Sequence, residues 1–239
     1  MSTIADAWVA VPDADGLDAW EIYPASPNGQ ALVVLHEIFG VNTAIRRIAG
    51  NFAAQGYHVL VPDLFWRVAP HLELGYDADT MARALALAAG LDEEKAVSDI
   101  AATVALAGQR AACVHLVGFC MGGKLAVRAA SIPGVSSAIS FYGVGIDEIP
   151  ESLAQARCPV MLHYGASDPY IPMSAVEAVQ AASAGLSYVT LHIYPGAGHG
   201  FFSPSRALHH PEAARLAWER CERLFHQVAA ASPHSAPRR

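Results

Sequence analysis

Val114-His115-Leu116-Val117-Gly118-Phe119-Cys120-Met121-Gly122-Gly123 runs an apolar segment of strand length into a glycine, a cysteine and two more glycines. An Ala-rich helical stretch from Lys124 to Ala130 follows. The spacing is that of the nucleophile elbow Gly-x-Ser-x-Gly, with Cys120 in the serine place. The strand-to-helix turn of such an elbow is so tight that its nucleophile takes a strained backbone conformation. Gly118 and Gly122 leave room for the backbone that passes alongside. Cys120 is thereby expected at the carboxyl end of a sheet and at a helix N-terminus, where the partial positive charge favours a thiolate. Taken alone, the pattern also fits a core cysteine beside close-packing glycines.

Strand and helix patterns alternate on both sides of the elbow. Residues 8–11 and 17–23 read as two short strands joined by the turn Pro12-Asp13-Ala14-Asp15-Gly16, an antiparallel hairpin at one sheet edge. Residues 31–35 form a continuous apolar run, expected of a strand buried on both faces. Further strands are predicted at 57–61, 112–117, 135–142, 159–164 and 188–194. Helices are predicted at 81–89, 92–108, 121–131, 173–184 and 211–230, and from the N-cap Asn42 to Gln55. Residues 65–79, with Trp66, Arg67, Pro70 and Gly75, lack periodicity, and a loop of that length in a compact domain is usually functional. The fold class expected is α/β, a mostly parallel twisted sheet with helices on both faces. A single domain over 1–231 is expected, with 232–239 a disordered tail.

Composition narrows the function classes. The 239 residues are 53% hydrophobic and 15% charged, with net charge −7 and no basic block, so nucleic acid is not an expected partner. No apolar run approaches the roughly 20 residues that cross a bilayer. The first eight residues lack a basic region followed by an apolar core, so no signal peptide is expected. Cys113, Cys120, Cys158 and Cys221 form no CxxC pair and no zinc-type spacing, so no metal or other cofactor is expected. Reduced thiols in a cytoplasm follow from that usage.

A nucleophilic thiol needs a base, and the base needs an orienting group. Elbow-type hydrolases carry these in the order nucleophile, acid, histidine. Asp168, in Gly165-Ala166-Ser167-Asp168-Pro169, follows one predicted strand, and His199, in Gly198-His199-Gly200-Phe201, follows the next. Both therefore fall at strand carboxyl ends, where ligand chemistry collects in open α/β sheets. His199 is the expected base, Asp168 its orienter, and the N–H groups of Met121 and Ile38 the expected oxyanion hole. Glu37 shares the Ile38 loop, within reach of Cys120, where a carboxylate disfavours a thiolate. Phe39, Trp66, Tyr142 and Phe201 are candidate substrate contacts.

These pieces resemble the dienelactone hydrolase (carboxymethylenebutenolidase-like) family of the α/β-hydrolases. The matching stretches are His36-Glu37-Ile38-Phe39-Gly40, Pro62-Asp63-Leu64-Phe65, Gly118-Phe119-Cys120-Met121-Gly122-Gly123, Phe141-Tyr142-Gly143, Asp168 with Ile171-Pro172, and Gly198-His199-Gly200-Phe201. The resemblance implies a Cys-Asp-His triad that opens a lactone or enol ester through an acyl-enzyme. It implies that Glu37 holds the resting thiol until substrate binds, and that the protein is a monomer. It departs from the family where two arginines bind the substrate carboxylate: Met81 and Ser203 fall near those places, with Arg83 and Arg206 close by but out of register. Arg67, in the long loop, is a further candidate cation. The expected function is hydrolysis of a small lactone or activated ester. The alternative is a non-catalytic or redox-sensing lactone-binding protein of the same fold.

Overall fold

The computed structural model describes residues 5–232, so residues 233–239 of the tail predicted at 232–239 lie outside the described residues. The elements run β1 (Ala5–Ala10), β2 (Asp18–Tyr23), β3 (Gln30–Leu35), α1 (Thr43–Ala54), β4 (His58–Pro62), α2 (Ala78–Ala89), α3 (Glu93–Gly108) and β5 (Cys113–Phe119). They continue with α4 (Met121–Arg128), β6 (Val135–Phe141), α5 (Pro150–Gln155), β7 (Val160–Gly165), α6 (Met173–Ala182), β8 (Val189–Tyr194) and α7 (Pro211–Ala231). A 3-10 turn, Ala129–Ser131, completes the helix expected after the elbow. The element absent from the sequence reading is α5. Its six residues are too few for a helical period to register, and Pro150 and Glu151 in its first turn are weak local signals for it.

All eight strands form one sheet in the order β1-β2-β4-β3-β5-β6-β7-β8. The β1–β2 and β2–β4 pairings are antiparallel, and the rest are parallel. The central strands are buried at every position of β3, β4 and β5, as their unbroken apolar runs require. α1 and α7 form one covering layer, where Phe52 stacks on Trp218 at 4.5 Å and meets Phe225 edge-on. α3 and α4 form the other, packed together over β3 to β6. Helix α1 starts where predicted, the Asn42 side chain accepting from the Ile45 N–H at 3.1 Å. Among the described residues no helix is long and apolar enough to cross a membrane.

The loops leaving β3 and β4 are tied together at the carboxyl edge. His36 is fully buried, and burial lowers its pKa, leaving the ring neutral. Its Nδ1 lies 2.6 Å from the Glu37 carbonyl and its Nε2 accepts from the Leu64 N–H at 3.2 Å. One tautomer, with the proton on Nδ1, satisfies both contacts. Asp63 accepts from the N–H groups of Phe65 and His71 and so folds the start of the long loop. That loop returns to β3's exit through Asn42 Nδ2, which donates to the Leu74 carbonyl at 2.9 Å, and through the Leu74 N–H, which donates to Phe39 O at 3.0 Å.

The elbow itself rests on absent side chains. A Cβ at Gly118 would overlap the Gly122 carbonyl, and one at Gly122 would overlap the carbonyls of Leu35 and His36. The obstacles are backbone, so they cannot rotate aside. Gly118→Ala is expected to cost about 2–3 kcal/mol, a fall of roughly 4–12 °C in Tm for a chain of this size. Gly50→Ala, mid-α1 with open space around its Cβ, is the contrasting case; it should leave Tm unchanged or raise it. Thermal melts of the two variants check both.

Candidate active site

Cys120 has φ 53° and ψ −117°, a region that side-chain-bearing residues rarely occupy. Hydrogen bonds on both sides hold it there. Its N–H donates to Phe141 O at 3.0 Å, and its carbonyl accepts from the N–H groups of Gly123 at 2.9 Å and Lys124 at 3.3 Å. The thiol is the only one of the four that is not fully buried. It stands over the first turn of α4, whose leading N–H groups have no intrahelical acceptor.

Asp168 and His199 arrive from the ends of β7 and β8. The His199 Nδ1 and Asp168 Oδ2 are 2.8 Å apart, and Asp168 Oδ1 accepts from the Tyr170 N–H at 2.8 Å. Both carboxylate oxygens are thus engaged, which fixes the ring plane of the histidine. Burial disfavours protonation of His199, but the hydrogen bond to Asp168, a second one to Cys120 and the charges of both outweigh it. The imidazole is raised from 6.5 to about 10. Such a ring is an imidazolium at neutral pH beside a sulfur that can carry the matching negative charge.

Glu37 is almost entirely buried and lines the same cleft as Cys120 and His199. Tyr76 donates its hydroxyl proton to Glu37 Oε2 at 3.2 Å, and Arg206 Nη1 stands 3.9 Å from the same oxygen. The Arg206 guanidinium lies over the Tyr76 ring at 4.3 Å and the Phe39 ring at 5.3 Å. Glu37 Oε1 and Arg206 Nη1 have no hydrogen-bond partner among the described residues. Burial, and next the Glu37 carboxylate, push the Tyr76 phenol well up, so it remains a donor at any ordinary pH. Tyr76 is absent from the sequence reading. It sits in the aperiodic loop, where no motif distinguishes a tyrosine that reaches the site from one that does not.

These groups open onto a cleft of about 640 Å³. Glu37, Ile38, Phe39, Cys120, Met121, His199 and Arg206 line it. The N–H groups of Ile38 and Met121 have no backbone acceptor among the described residues. Arg206, out of register in sequence, is brought in by the tight turns of residues 198–206. Five other candidates lie elsewhere. Arg67 makes a two-pronged pair with buried Asp99, at 2.5 and 2.9 Å, and Trp66 Nε1 donates to the same carboxylate at 3.2 Å. Both therefore pin the long loop to α3 rather than face the cleft. Arg83 is exposed on the face of α2 turned away from Met81 and Leu85, which do line the cleft. Tyr142 and Phe201 are fully buried behind His199, their rings 5.6 Å apart and Tyr142 4.9 Å from the His199 ring. Among the described residues no cluster of His, Cys, Asp and Glu could hold a metal ion.

A mostly parallel sheet with an antiparallel N-terminal edge, and a strained elbow at the end of a central strand, define an α/β-hydrolase. Residues 17–229 match the dienelactone hydrolase family. A candidate carboxymethylenebutenolidase of Azospirillum brasilense is 35% identical over 226 residues, covering 92% of this chain and 97% of that one. The carboxymethylenebutenolidase of Pseudomonas sp. strain P51 is 33% identical over 198 residues, covering 81% and 83%. The crystal structure of a candidate dienelactone hydrolase from Klebsiella pneumoniae superposes with TM-score 0.81 at 26% identity, covering 94% and 99%. The chain belongs to the dienelactone hydrolase family and is a hydrolase of the esterase class.

The raised His199 pKa carries a sign. The folded value, about 10, lies above the ordinary 6.5, so the stability it contributes is full below 6.5 and is lost as pH rises through about 10. An NMR titration is expected to show His199 protonated across neutral pH, with its midpoint falling back towards 6.5 in Asp168→Asn. Equal midpoints in the two proteins would contradict the assignment.

Proposed function

We propose that this chain hydrolyses a small lactone or an activated enol or aryl ester through a thioester on Cys120. The observation that carries the reading is the chain of contacts Cys120–His199–Asp168 at a strained elbow. The sulfur attacks the substrate carbonyl carbon, and the electron pair of the C=O moves to oxygen. The N–H groups of Ile38 and Met121 receive that oxyanion. As the tetrahedral adduct collapses, the bond to the alkoxy or enol oxygen breaks. The His199 imidazolium gives its proton to that oxygen. In a lactone the released hydroxyl or enol stays attached to the acyl group. Neutral His199 then takes a proton from water, the hydroxide adds to the thioester, and the acid leaves as the thiolate returns. Asp168 keeps the ring oriented and supports its charge in both halves.

Glu37 acts on the resting state. Its carboxylate lines the same cleft as Cys120 and is buried with the Tyr76 hydroxyl as its one hydrogen-bond donor among the described residues. A carboxylate so placed competes with the thiolate for the same positive surroundings. Arg206, 3.9 Å away, offers the carboxylate an alternative partner when substrate enters. Drawn towards Arg206, the carboxylate would no longer compete with the sulfur for the His199 imidazolium, so the sulfur would be most reactive in the loaded site and less open to oxidation between turnovers.

Intact-protein mass spectrometry with an aryl ester is expected to show one acyl group on the wild type and none on Cys120→Ala, whose activity should fall by about 10³-fold or more. Cys120→Ser should fold normally and lose most activity. Glu37→Gln should change the pH profile of Cys120 alkylation by iodoacetamide; identical rates at every pH would remove Glu37 from the scheme.

A further inference from the structure

We propose that the cleft selects esters and lactones bearing one uncharged apolar chain, and that Met81 sets this preference. The inference rests on the hydrolytic reading above and names its substrate class. The two ends of the cleft are unlike. Beside Cys120 are Glu37, His199 and Arg206, all polar. Nearer the surface, α2 presents Met81, Leu85 and Ala88 at successive turns of one face, and the start of α6 adds Pro172 and Ala175 to the lining. None of these five side chains carries charge or a hydrogen-bond donor.

The surface around the outer end is apolar beyond what the rest of the molecule shows. Six large hydrophobic residues are exposed among the described residues, and three of them, Leu85, Val144 and Tyr170, line this cleft. Apolar side chains gathered at one concave site and left in water gain when a ligand covers them. Met81 is unbranched and adapts its shape to a flexible chain lying on it.

Charge argues the same way. Lys124 is taken by Glu93 at 2.9 Å, and Arg206 faces Glu37 at 3.9 Å. The remaining charged lining residues apart from the triad are Asp147 and Glu148, both exposed and without a cation partner among the described residues. A carboxylate on the outer part of a substrate would meet no free cation there and two like charges. An alkyl chain would meet only apolar wall, where each methylene it buries is worth roughly fourfold in binding.

The test compares kcat/KM for p-nitrophenyl acetate, p-nitrophenyl hexanoate and the p-nitrophenyl monoester of adipic acid, and for γ-lactones with and without a pentyl substituent. The two series place the chain on the acyl and the alkoxy side of the reacting carbonyl. In at least one series the chain-bearing neutral substrate should exceed its short counterpart by about tenfold or more, mostly through KM. The hexanoate should likewise exceed the adipate monoester. Met81→Arg should shift the hexanoate-to-adipate ratio at least tenfold towards the adipate, while Met81→Leu keeps the wild-type ratio. Circular dichroism confirms that both variants fold. No chain-length gain in either series, or a ratio unmoved by Met81→Arg, would overturn the inference while leaving the hydrolase reading intact. No turnover and no acyl group on Cys120 with any of these substrates would overturn the hydrolase reading itself, and this inference with it.

Discussion

The site depends on how closely α4 approaches the sheet. The first turn of α4 lies against the ends of β3 and β5 with no clearance for a Cβ at Gly118 or Gly122. That contact turns the chain so abruptly that Cys120 is held at φ 53°. A residue in such a conformation stays there only when its surroundings over-determine it. Here the surroundings are three backbone hydrogen bonds to Cys120 and a sheet whose central strands are buried on both faces. The strain projects the sulfur beyond the strand ends, into the space reached by the loops after β3, β7 and β8.

A second constraint sets what the sulfur meets. The Glu37–Ile38 loop has no regular structure, yet the neutral imidazole of His36 bridges it to Leu64 and so to the end of β4. A charged His36 could not accept from the Leu64 N–H. The burial that keeps the ring neutral therefore also keeps the loop in place. The same loop carries Glu37 into a pocket closed by Tyr76 and Arg206. Behind His199, Tyr142 is fully buried, and burial, then the charges of Glu37 and Cys120, hold its hydroxyl protonated. The acid–base balance around the sulfur is thus set by groups on four loops, each braced by the sheet or by a neighbouring loop.

Much of this was legible in the sequence because the deciding signals are local. The Gly118 signal is local, since a Cβ there would meet the Gly122 carbonyl four residues on, whereas the need for glycine at 122 comes from the distant Leu35 and His36 carbonyls and was legible only through the motif spacing. Asn42 as an N-cap and the unbroken runs of β3 and β5 act within a few residues too. Aromatic and cationic side chains were less legible. Tyr142, Phe201, Trp66 and Arg67 fall near strand ends in sequence, but whether such a side chain turns to the cleft or to the interior depends on distant partners. Asp99 on α3 captures Trp66 and Arg67, and the cluster of Phe141, Tyr194 and His199 encloses Tyr142 and Phe201.

The amino-acid sequence by itself determined the order of strands and helices, the elbow, and the arrival of Cys120, Asp168 and His199 at one edge, because periodicity and tight turns are written in neighbouring residues. Only the tertiary structure decided that Tyr76 donates to Glu37, that Arg206 faces the same carboxylate, and that Met81 rather than Arg83 lines the cleft. Those contacts join segments 39 and 169 residues from Glu37, or turn on the facing of one helix. Packing fixes such distances and facings, and no local pattern encodes them.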